Sequence, residues 1–138
     1  MSKSPKSIVR SFYNLDISTD GIESYKSFLH KDCELNWNSS KGYTKLLFDD
    51  IIALFNDIET SYESVRFQIS HLLEDGAFVT TRYTLYVTPI EDTDNETALA
   101  HFITIWEVKD GKLYKGFEIS QTADESLHSL NSYSEINI

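Results

Sequence analysis

The apolar residues of this chain change their spacing about half-way along it, and that change sets what it can fold into. Up to residue 58 they recur at helical intervals. Ile8, Phe12 and Leu15 share one face with Val9 and Tyr13 beside it; Ile22, Tyr25, Phe28 and Leu29 make a second; Phe48, Ile51, Ile52, Phe55 and Ile58 make a third. These stretches predict helices over about residues 5–16, 20–30 and 44–58. Ser4-Pro5 is a start signal for the first, because serine caps and proline tolerates the first turn. Between the second and third helices, Cys33 to Asn38 alternates apolar with polar as a half-buried strand does. From Val65 the period falls to two. Val65, Phe67 and Ile69 alternate with Arg66, Gln68 and Ser70; Phe78 to Thr88, Ala98 to Val108 and Leu113 to Ser120 then read as strands. Glu74-Asp75-Gly76 and Lys109-Asp110-Gly111-Lys112 are tight-turn signals between them. Helices followed by an antiparallel meander imply an α+β architecture.

The 138 residues suit one domain over 1–138, with a core over about 5–122 and a polar tail over 123–138. A net charge of −10 disfavours a nucleic-acid partner and an anionic membrane surface alike. The first residues lack the apolar stretch of a signal peptide, and no apolar run approaches membrane-spanning length, so a cytoplasmic location is expected. Cys33 has no partner for an intrachain disulfide and reads as a small core residue. His30, His71, His101 and His128 do not stand at metal-ligand spacing, and no phosphate-binding loop or nucleophile motif is present; neither a metal nor a cofactor is expected.

Several phrases carry a resemblance. Ile8-Val9-Arg10-Ser11-Phe12-Tyr13, Asp20-Gly21-Ile22-Glu23 with Phe28 to Cys33, Glu74-Asp75-Gly76 before Phe78-Val79, and Trp106 to Leu113 stand in the order of the nuclear-transport-factor-2-like superfamily. The chain resembles its SnoaL-like members over roughly residues 6 to 124. The resemblance implies a curled, cone-shaped antiparallel sheet with the three helices on its concave face, an apolar pocket and frequent homodimers. The superfamily includes isomerases, cyclases, epoxide hydrolases and non-catalytic binders, so the fold alone assigns no function.

By the same resemblance, the pocket faces of the strands are those carrying Phe102, Arg82 and Glu118. That choice lines the pocket with Phe12, Trp37, Phe55, Phe78, Thr80, Thr84, Phe102, Thr104 and Trp106, and leaves Tyr83, Leu85, Ile103, Ile105, Phe117 and Ile119 outside. Tyr13 falls where ketosteroid isomerases carry an oxyanion-binding tyrosine, and the donor acid falls near Thr104. The base falls at Trp37, which cannot take a proton. Arg82 matches the arginine of limonene-epoxide hydrolases and Glu118 their second acid, while Thr84 stands in place of the first. An arginine and a carboxylate in a dry pocket would need one another, so Arg82 and Glu118 are expected to pair. His71, alternating with Val65, Phe67 and Ile69, is left open between a pocket role and a structural one.

Three readings follow. The first, preferred because each acid–base pattern lacks a member, is a binder of a small apolar or amphipathic molecule. The second is a cofactor-free isomerase, cyclase or hydrolase using Arg82 and Glu118 with Tyr13. The third is a homodimeric interaction module acting through its convex sheet face, where Leu85, Val87, Ile103, Ile105, Phe117 and Ile119 are expected to cluster.

Overall fold

The computed structural model describes residues 3–123. Helix α1 (Pro5–Tyr13) starts at Ser4, whose hydroxyl oxygen accepts the Ser7 N–H at 3.2 Å, and it buries Ile8, Val9, Phe12 and Tyr13. It stops three residues short of the expected end because Asp16 caps the next helix, accepting the Ser18 N–H at 3.0 Å. Helix α2 (Ile17–Phe28) kinks at Gly21, where φ is 76°. Strand β1 (Leu29–Ser39) begins inside the expected second helix and extends beyond Cys33–Asn38 at both ends.

Residues 44–47 were expected in the third helix, but they belong to strand β2 (Gly42–Leu47), which folds back antiparallel on β1. Tyr43, Thr44 and Lys45 suit an exposed edge strand better than the buried side of a helix. Helix α3 (Phe48–Ser61) follows, its start closed by Asp50, which accepts the Leu47 N–H at 2.9 Å. Strands β3 (Tyr62–Asp75), β4 (Phe78–Pro89), β5 (Thr97–Lys109) and β6 (Lys112–Thr122) then form the meander.

The six strands make one open sheet in the order β2-β1-β6-β5-β4-β3. All neighbours are antiparallel except β1 and β6, which run parallel. The helices pack on the concave face and bury a core that runs from Val9, Phe12 and Tyr13 through Tyr25, Ile51 and Phe55 to Val79, Tyr83, Leu85 and Trp106. Cys33 lies in this core, and burial pushes its thiol up to about 11. Among the described residues no helix is long and apolar enough to cross a membrane.

Register fixes which residues share a face, since directly paired strand residues point the same way. Thr81 pairs with Thr104, Tyr83 with Phe102, and Thr104 with Glu118. The concave face of β4 is therefore Val79, Thr81, Tyr83, Leu85 and Val87. This overturns the expected placement of Phe78, Thr80, Arg82 and Thr84 in the pocket and of Tyr83, Leu85 and Val87 on the convex face. Arg82 pairs with Ile103 and Thr80 with Ile105, which puts them on the convex side. The physical reason is burial. The face of β4 with no charge goes to the core, and the face carrying Arg82 is left outside. Ile103, Ile105, Phe117 and Ile119 are convex, as expected, and are 39%, 39%, 49% and 60% exposed.

Candidate functional site

The concave face carries two neighbouring chambers that share part of their lining. The inner one, about 80 Å³, lies among Phe12, Tyr13, Phe55, Phe67, Tyr83 and Trp106. The outer one, about 450 Å³, opens between the C-terminal half of α3 and the ends of β1 and β6. Leu54, Ile58, Leu85, Phe102 and Glu118 line both. The inner space holds no more than a few waters, whereas the outer one has the size of small-molecule sites. A ligand body would therefore sit in the outer chamber and reach the junction where Glu118 stands.

The aromatic walls come from helical and strand periodicities meeting. Phe12 packs edge-on to Tyr13, Tyr25, Phe28 and Phe55. Tyr83 stacks on Phe102 with ring centres 5.0 Å apart and planes at 10°. Trp37 stands at the mouth, its indole N–H donating to Ser120 Oγ at 2.8 Å. Trp106 lies over Gly116, where an added Cβ would come within 2.8 Å of the indole ring and 2.7 Å of Leu35. Glycine there lets the tryptophan reach across the strand and form the inner wall.

Among the described residues, Glu118 is the one carboxylate on the wall of the inner chamber. Tyr83 donates to its Oε1 at 3.0 Å and Thr104 to the same oxygen at 2.7 Å. Desolvation pushes its acid up to about 7, although the Thr104 and Tyr83 bonds pull the other way. Burial likewise holds the Tyr13 and Tyr83 hydroxyls well above the usual phenol range. Behind Tyr83, Tyr13 donates to the Tyr83 oxygen at 3.3 Å and accepts the Trp106 N–H at 2.9 Å. The arrangement offers a proton acceptor and donor titrating near neutrality in an apolar wall, next to a chamber large enough for a small organic molecule.

Of the residues singled out from sequence, Phe12, Tyr13, Trp37, Phe55, Phe102, Trp106 and Glu118 line the chambers, and Thr104 supports Glu118 from beneath. Arg82 and Glu118 are not brought together. The Arg82 guanidinium donates to Ser70 Oγ at 2.8 Å on the far side of the sheet. Thr84 is buried there too, its hydroxyl 2.8 Å from His101 Nδ1. Phe78 is 46% exposed. His71 pairs with Arg82 and shares the convex face, so it does not enter the chambers. His128 lies outside the described residues. Sequence reasoning missed Tyr83, which takes the place against Glu118 that Arg82 was expected to fill. The uncharged odd-numbered face of β4 was the available signal.

Among the described residues no group of three or more histidine, cysteine or acidic side chains is placed to hold a metal ion. The family profile described as the SnoaL-like domain matches residues 9–115. The chain belongs to the SnoaL-like domain family.

Solved structures of this fold superpose on most of this SnoaL-like chain. A candidate SnoaL-like polyketide cyclase from Shewanella denitrificans is 10% identical, with a TM-score of 0.64, covering 84% of this chain and 89% of that one. IdmH from Streptomyces antibioticus, a candidate polyketide cyclase, is 13% identical, with a TM-score of 0.68 and coverage of 86% and 92%. TerC, solved with polyporic acid, is 24% identical, with a TM-score of 0.61 and coverage of 84% and 91%. At these identities the likeness concerns the fold. No functionally curated protein matches in sequence.

Proposed function

We propose that this SnoaL-like protein binds a small, largely apolar molecule in the outer chamber and that Glu118 exchanges a proton with it, as in a cofactor-free cyclase or isomerase. One observation carries the reading. A carboxyl group pushed up to about 7 stands where an apolar inner chamber meets a larger outer one of mixed lining, held by Tyr83 and Thr104 through one oxygen. A general acid or base works best when its pKa lies near the working pH. The polyketide cyclase assignments among structures of the same fold agree with a reaction of this class.

A panel of enolisable ketones in heavy water tests it. The protein should speed deuterium incorporation next to the carbonyl, and Glu118→Gln should lower that rate about 100-fold or more. Incorporation no faster than in buffer, or untouched by Glu118→Gln, would remove the acid–base role.

A second reading keeps the chamber and drops the turnover. It is favoured by the inner wall carrying, among the described residues, a single carboxylate, the other charged groups, Lys41 and Asp57, lining only the outer chamber. Polyporic acid, co-crystallised with TerC, is a first probe for binding as such. Calorimetry should show binding that weakens in Trp37→Ala and Phe102→Ala and survives in Glu118→Gln.

A further inference from the structure

Four residues from four elements pass hydrogen bonds along one line. Trp106 donates to Tyr13, Tyr13 to Tyr83, and Tyr83 to Glu118 Oε1, at 2.9, 3.3 and 3.0 Å. The ends of the line fix its direction. An indole N–H only donates, and a carboxylate only accepts. Each of the two hydroxyls between them has one proton, so every proton points toward Glu118. Thr104 adds a second donor to the same oxygen at 2.7 Å. Among the described residues both hydrogen bonds to the carboxylate fall on Oε1, while the side chain lines both chambers.

We propose that this one-way line reserves Oε2 of Glu118 for the proton exchanged with a bound molecule, with Tyr13 and Tyr83 acting as positioning residues; the proposal rests on the proton-exchange reading of Glu118 above. Protonating Oε1 would set its new O–H against the Tyr83 and Thr104 hydroxyls. Tyr83 could yield only by turning toward Tyr13 or toward the Thr104 hydroxyl, 3.4 Å away. Turned toward Tyr13, it would oppose the proton that Tyr13 already directs at it, since the Trp106 N–H faces the Tyr13 oxygen. Either turn exchanges a 3.0 Å bond to the carboxyl oxygen for one of 3.3 or 3.4 Å. Both phenols are fully buried and hold their protons tightly, so they orient the carboxyl group and do not supply protons to it. The reacting proton binds and leaves on Oε2, the oxygen to which neither Tyr83 nor Thr104 donates.

The test needs no ligand, so its outcome is independent of whether the chain turns anything over. Glu118 is titrated by carboxyl-carbon NMR in protein labelled at glutamate, with Glu118→Gln identifying its resonance. Tyr83→Phe should move the Glu118 midpoint up by roughly one pH unit, since a hydrogen bond to the charged form is lost. Tyr13→Phe, which does not touch the carboxylate, should move it the same way by less. The double variant should move it no further than Tyr83→Phe alone, because Tyr13 acts only through Tyr83. A midpoint unmoved by Tyr13→Phe, or two shifts that add in full, would overturn the line.

Infrared difference spectra of the protonated acid give the second readout. If the proton sits on Oε2, Oε1 is the carbonyl oxygen, and its stretch should rise in both Tyr83→Phe and Thr104→Val as hydrogen bonds to it are removed. A stretch indifferent to both substitutions would place the proton on Oε1 and sink the proposal.

Discussion

Moving a carboxylate from water to the wall of an apolar chamber favours its neutral form, and folding then depends on pH through that one group. Glu118 goes from an ordinary value of 4.5 to about 7 on folding. Between those values the native protein holds a proton that the unfolded chain has released. The contribution of Glu118 to stability is therefore fully present below about pH 4.5 and is lost as the pH rises through about 7. The loss is on the order of 3 kcal/mol. Glu118→Gln keeps an acceptor for Tyr83 and Thr104 without the charge. Urea unfolding at pH 5 and pH 8 should show the native chain losing stability between them and the variant losing less. Equal losses in both would mean that Glu118 is not desolvated. Gly116 makes a separate demand. A methyl group there meets Leu35 and the Trp106 ring at 2.7 and 2.8 Å, both inside contact distance. Gly116→Ala should cost about 1–3 kcal/mol in urea unfolding, the usual penalty of overpacking, and should displace the indole that closes the inner chamber.

At the scale of elements, β4 decides which side chains see a ligand. Both of its faces carry aromatic and β-branched residues, so alternation alone divides them without saying which is inside. The helices, the turns at Gly76 and Gly111, and the pocket faces of β5 and β6 were legible because period and charge agree there. Phe102, Thr104 and Trp106 were placed on the side they occupy with Glu118. The face of β4 was misread because an analogy with an arginine-bearing relative outweighed the cost of burying Arg82. The β1–β2 hairpin was missed because Tyr43 to Leu47 is short and runs into a helix without a break. The corrected face makes a prediction. Arg82→Leu should leave both the Glu118 midpoint and polyporic acid binding unchanged, while Tyr83→Phe moves the midpoint. Loss of binding in Arg82→Leu would restore the arginine to the pocket.

At the scale of the molecule, the sheet has one side covered by helices and the other bearing Leu73, Phe78, Ile103, Ile105, Phe117 and Ile119, each more than a third exposed. We propose that two copies pair across this convex face. With a net charge of −10, two copies repel one another on average, and a face rich in uncharged apolar groups is where attraction can prevail. Each such side chain removed from water contributes roughly 1.5–3 kcal/mol, and a two-fold pairing is the default for a self-complementary patch. Sedimentation at micromolar concentration should give a dimer, and Ile105→Asp with Ile119→Asp a folded monomer. A monomeric native chain would rule the interface out. The parallel junction of β1 and β6 has a consequence in time. Trp37 and Ser120, which join across it, are 83 residues apart in sequence. Closing so long a loop is slow, and nothing local rewards it until the last strand docks. On the ribosome the helices and the first hairpin emerge well before β6, so their apolar inner surfaces must wait without a far wall. A chaperone that holds nascent chains would meet this protein at that interval, and the carboxyl group would arrive only with the final strand.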